Sequence, residues 1–132
     1  MSFRPALQEL VLRAKGARGA VFCDGEGESV DLVVAEPPPR GCEGLTAYDL
    51  QLTGAQVAAA WLHLHSGSVE RGAGSAVELQ LRCDKGSLLC RVLREDYYLV
   101  LVLAPGRPPA AAAFALREAA ARVVADLQGA LT

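Results

Sequence analysis

The sequence is short of aromatic residues, of histidine and of long apolar runs. Phe, Trp and Tyr make up 5% of its 132 residues, with one Trp, and there are two His. The 52% apolar content therefore predicts a core of Leu, Val and Ala. The longest apolar stretch, Leu99–Ala104 with two tyrosines before it, falls far below the roughly 20 residues that cross a bilayer, so no membrane span is expected. Met1-Ser-Phe-Arg-Pro5 lacks the basic-then-apolar order of a signal peptide, and the expected location is cytoplasmic. A net charge of −2 offers no excess of cations for a phosphate backbone, which argues against nucleic acid as a partner. Cys23, Cys42, Cys83 and Cys90 show no Cys-x-x-Cys spacing and are expected as free thiols, buried except for Cys42 in a loop. A turn at Lys85-Gly86 would set Cys83 opposite about Leu88, which excludes a Cys83–Cys90 disulfide.

Catalytic signatures are also missing. No phosphate-cradling glycine motif, nucleophile elbow or His-Glu-x-x-His occurs, and Gly25-Glu-Gly27 and Gly72-Ala-Gly74 read as turn chemistry. His63 and His65 would stand about 200° apart on a helix and cannot share a metal. Asp24, Glu26, Glu28 and Asp31 cluster at a turn, where acids are common, with no second catalytic group beside them. No catalytic residue, metal or cofactor is expected, and the chain does not read as an enzyme.

What is present is a clear alternation of patterns. Residues 1–132 have the length of one domain, able to bury roughly two thirds of the surface its unfolded chain exposes. Apolar spacing predicts a helix over Arg4–Lys15, with Ser2 as N-cap and Gly16 as the stop. Strand-like runs follow at Gly19–Cys23 and Ser29–Val34, joined by the Asp24–Gly27 turn; Asp31 places the second nearer an edge. Glu36-Pro-Pro-Pro-Arg-Gly41 reads as a stiff connector, with a docking peptide as its alternative. A second helix is expected over Tyr48–His65, entered through Thr46 and Asp49 and left at Ser66-Gly67, with a flexible loop to Ser75.

Three strands then follow. The first, Ala76–Cys83, alternates strictly: Val77, Leu79, Leu81 and Cys83 on one face, Glu78, Gln80 and Arg82 on the other. The last, Tyr97–Ala104, does not alternate and must be covered on both faces. Turns are expected at Asp84–Gly86 and Glu95-Asp96, and a last helix over Ala110–Leu127 with Phe114, Leu116, Ala120, Val123, Val124 and Leu127 on its apolar side. The result is an α+β fold with a five-stranded, mostly antiparallel sheet ordered second, first, fifth, fourth, third. The terminal helices would cover one face and the middle helix the other, in three layers.

The middle helix carries a surplus. Leu52, Ala55, Ala59 and Leu62 make one apolar stripe, and Val57, Ala58, Trp61 and Leu64 another, more than one sheet face needs. Beside an open edge at Ala76–Cys83, this composition fits self-association, against the alternative of a helix sunk in its own core.

Element order and several residues resemble the roadblock/dynein light chain superfamily, whose fold is profilin-like. The strand ending in an Asp-Gly turn, Gly19-Ala-Val-Phe-Cys-Asp-Gly25, carries the likeness. Met1-Ser-Phe-Arg4, Leu50-Gln-Leu-Thr-Gly54 and Arg94-Glu-Asp-Tyr-Tyr-Leu-Val-Leu101 are similar to the bacterial roadblock proteins of the polarity and gliding-motility system, the MglB/MglC type. The Pro37–Pro39 loop and the alanine-rich last helix depart from that pattern. The resemblance implies a non-enzymatic homodimer whose central helices pair across a two-fold axis and whose third strands pair edge to edge. It places Leu52, Ala55, Gln56, Ala59, Leu62 and His63 on the helix contact, and Val77, Glu78, Leu79, Gln80 and Arg82 on the strand contact. It further implies a scaffold for a Ras-like small GTPase or for another roadblock-domain protein; Arg40 and Arg71 are loop arginines, not candidates for an arginine finger. A small-ligand-sensing module of profilin- or PAS-like architecture is the alternative.

Overall fold

The computed structural model describes residues 2–94 and 97–131, with the side chains of 94, 130 and 131 excepted. The expected Glu95-Asp96 turn lies outside the described residues. The elements are α1 (Arg4–Arg13), β1 (Ala17–Asp24), β2 (Ser29–Val34), α2 (Ala47–Glu70), β3 (Glu78–Cys83), β4 (Gly86–Arg94), β5 (Tyr97–Leu103) and α3 (Pro109–Leu131). They form one sheet of order β2-β1-β5-β4-β3, the order read from the sequence, and its described pairings are antiparallel.

Alternation along the central strands sorts the core into two clusters. Ala20, Phe22, Leu99, Leu101 and Leu103 pack with Leu7 and Leu10 of α1 and Leu116 and Val123 of α3. Val21, Cys23, Tyr98, Val100 and Val102 pack with Leu50, Ala58 and Trp61 of α2. β1 and β5 are apolar on both sides because both sides are covered. Arg13–Glu118 at 2.8 Å and Arg122–Glu9 at 2.6 Å tie α1 to α3 across their exposed seam.

Several local expectations are corrected. α1 is capped at Phe3 without a side-chain bond, although Ser2 Oγ accepts the Arg4 N–H at 3.2 Å. α2 continues past Ser66-Gly67 to Glu70. A mid-helix glycine costs only about 1 kcal/mol, and the last turn is tied by Ser68 Oγ, 2.9 Å from His65 O and 2.8 Å from Gly74 O, and by Arg71 donating to Gly67 O. The β3–β4 turn is Asp84-Lys85, so Cys83 faces Gly86 and Leu81 faces Leu88; Cys90 stands opposite Leu79, which still excludes the disulfide. Cys42 is buried and Cys83 is the exposed thiol, the reverse of the expectation, because the loop after β2 folds back while the end of β3 stays bare. Phe114 is exposed rather than packed.

The two sheet edges differ. On β2, Asp31 Oδ1 accepts the backbone N–H of Leu32 at 2.9 Å and pairs with Arg4 at 3.1 Å. On β3, no strand among the described residues lies beyond the outer side.

Candidate functional site

Thr46 and Asp49 start α2 with a capping box: Thr46 Oγ1 accepts the Asp49 N–H at 3.1 Å, and Asp49 Oδ2 accepts the Thr46 N–H at 2.9 Å. The Thr46 N–H and the Thr46 hydroxyl, each donating to Asp49 Oδ2 at 2.9 Å, hold the Asp49 carboxyl below the usual carboxylate range. The inward stripe of α2 is Leu50, Gly54, Ala58 and Trp61. Gly54 brings the helix close: a Cβ there would lie 3.4 Å from Cys23 Sγ and from Val21 Cγ1. Cys23 and Cys90 lie under the helix, and burial pushes both thiols up to about 12, helped by Asp24 and by Cys23 and Glu78 respectively, so neither is a nucleophile.

A second stripe remains outside. Tyr48, Leu52, Ala55, Ala59 and Leu62 follow one another at spacings of four and three, and all are exposed. Tyr48 is 65%, Leu52 42% and Leu62 61% accessible. That spacing keeps them on one face, the pattern of a helix that meets another helix. Gln56 and His63 flank the stripe, also exposed. Of the other predicted stripe, Ala58 and Trp61 are buried, Val57 is half-buried and Leu64 is exposed.

α2 packs over β1, β2 and β5. On the same side of the sheet, Leu79, Leu88 and Val92 are only half-buried, and Val77 and Leu81, in alternation with Leu79, stand 60% and 56% exposed. Apolar side chains are thus exposed both on the outer side of α2 and on this side of the open edge. On the opposite face of β3, Gln80 and Arg82 are exposed. Glu78 is not an outward-facing charge: it accepts from Arg91 at 3.3 Å and Arg117 at 3.2 Å, tying β3 to β4 and α3. Sequence reasoning missed this pairing, which joins residues 39 positions apart. It also missed the clasp at the entry to β3, where the Ala76 N–H donates to His65 Nδ1 at 3.2 Å and His65 stacks on Trp61 at 4.6 Å.

Among the described residues no group of His, Cys, Asp and Glu is placed to hold a metal. No described helix is long and apolar enough to cross a membrane. The arrangement offers an apolar surface and an unpaired strand edge.

The architecture is that of roadblock proteins. No protein-family model matches the sequence, and no curated protein matches it. Among solved structures, MglC from Myxococcus xanthus is 25% identical over 96% of this chain and 99% of its own, with a TM-score of 0.66. An MglB with a tetrameric arrangement is 20% identical over 92% of this chain and 85% of its own, TM-score 0.78. The Roadblock/LC7 domain from Streptomyces avermitilis is 14% identical over 93% and 95%, TM-score 0.78. The chain is similar to roadblock proteins of the MglB/MglC type.

Proposed function

We propose that residues 1–132 act as one non-enzymatic, homodimeric roadblock-type scaffold in a cell-polarity or motility pathway in the cytoplasm. In this reading two copies pair through Leu52, Ala55, Gln56, Ala59, Leu62 and His63 of α2 and join their sheets along Val77–Arg82 of β3. The observation that carries it is the exposed four-three spaced stripe on α2, lying on the same side of the sheet as bare Val77 and Leu81. A two-fold axis makes such a patch self-complementary. The solved MglB with a tetrameric arrangement supports assembly of such domains. The paired surface then presents a platform for a Ras-like small GTPase or for a second roadblock-domain protein.

Sedimentation of the purified chain, followed by capture of cytosolic partners on wild type and on Ala59→Glu, tests the proposal. A dimer that Ala59→Glu splits, with loss of a captured small GTPase or roadblock protein, is expected; a wild-type monomer at micromolar concentration overturns it. One observation favours a ligand-sensing module instead: Trp61 Nε1 is buried with no acceptor among the described residues. A rise in melting temperature with a small molecule that reaches this group would support that reading.

A further inference from the structure

The described cations differ in whether a carboxylate answers them. Arg4, Arg13, Arg91, Arg117 and Arg122 each pair with a carboxylate. Of the described cations that have no carboxylate within ion-pair distance, Arg18, Arg71, Arg82 and Lys85 lie elsewhere, whereas Lys15, Arg40 and Arg107 gather in one place. All three line one cleft of ≈ 460 Å³ at the end of the sheet where β1 begins and β2 and β5 finish. The connectors that carry them are fixed to one another: Ala104 N–H donates to Gly16 O at 2.7 Å, and Ala35 N–H donates to Arg18 O at 2.9 Å. Gly16, at φ +82°, lets the Arg107 stem lie flat against the backbone, since a Cβ there would meet Arg107 Cγ at 2.5 Å. Half-buried Arg18, off the lining, donates to Cys42 O at 3.3 Å and so ties the far end of the proline loop to β1. Glu36 is the one acid on the lining. The walls include Pro37, Pro39 and Leu12, the last 83% exposed.

We propose that this cleft docks an extended acidic segment of a partner protein, its carboxylates on Lys15, Arg40 and Arg107 and an apolar side chain over Leu12. Charge complementarity selects the ligand: unpaired cations on a chain of net charge −2 make a local positive basin that steers an anion without attracting nucleic acid at large. The mixed lining selects a peptide, because a bare phosphate has no use for Leu12 or the proline wall. The prolines restrict the loop, so little conformational freedom is lost on binding. The site shares no residue with the α2 and β3 surface, so it stands or falls independently of dimer formation.

The test is fluorescence anisotropy of the full chain with a labelled synthetic peptide of glutamates with interspersed leucines, and with the same peptide carrying glutamine for glutamate. Wild type should bind the glutamate peptide, more weakly as salt rises, and not the glutamine peptide. Lys15→Glu with Arg107→Glu should weaken binding about tenfold or more, Leu12→Ser should weaken it less, and Arg71→Glu should leave it unchanged. Circular dichroism checks that each variant is folded. Amide shifts on adding the peptide should fall in residues 12–18, 35–40 and 104–107, a readout that needs no variant. Equal affinity for both peptides, indifference to the double reversal, shifts elsewhere, or binding only to phosphatidylserine vesicles would overturn the proposal.

Discussion

Leu62→Ala is the sharpest test of the proposed pairing surface, because in that pairing its cost falls on association and not on the protomer. The side chain is 61% exposed in one copy. A fully buried leucine is worth roughly 2.5 kcal/mol, so hiding what remains exposed contributes about 1.5 kcal/mol. Alanine keeps the Cβ, leaving about 1 kcal/mol lost per copy and about 2 kcal/mol for a symmetric pair. That is about a thirtyfold weaker dimer. Sedimentation equilibrium over a dilution series measures the constant directly. The protomer itself should unfold as before, within about 0.5 kcal/mol, once both proteins are compared at dilutions where they are monomeric. An unchanged dimerisation constant would refute the reasoning, and so would a protomer that loses stability with no change in association.

Other outcomes follow from the same geometry. Thr46→Ala removes half of the capping box and should destabilise the fold by about 1 kcal/mol in urea titration. Because the folded Asp49 carboxyl is depressed, its contribution is present above the unfolded carboxylate range near 3.9 and lost as pH falls through the lower folded value. Asp49→Asn should therefore flatten the acid limb of a stability-against-pH curve in that window. Brief alkylation of the native chain should label Cys83 and spare Cys23 and Cys90, which are buried with thiols near 12; mass spectrometry of the digest reads the sites. Leu101→Ala, at a fully buried site between β1 and β4, should cost about 2–5 kcal/mol in chemical unfolding.

The sheet order was legible because the pattern of Tyr97–Ala104 and Gly19–Cys23 demands cover on both faces, and only central strands receive it. The outer stripe of α2 was legible for a related reason: its spacing survives without any contact being known. What could not be read were interactions between distant segments. Gly67 resembles a helix stop, yet Ser68, Arg71 and Gly74 hold one more turn in place. Glu78 alternates as a solvent-facing residue should, yet two arginines from β4 and α3 claim it. Leu12 and Phe114 fall among apolar residues but are left outside, and Lys15, Arg40 and Arg107 meet only because three connectors end at one corner of the sheet.

Asp31 bears on how far the proposed assembly would run. By occupying the Leu32 N–H with its own carboxylate and holding Arg4 alongside, it removes from the β2 border a donor that an incoming strand would require. In the proposed pair, two copies would use their β3 borders on each other and leave the β2 borders, each with this donor occupied, to meet a third. Strand addition at β2 then starts one donor short, which disfavours extending the proposed pair into a fibre.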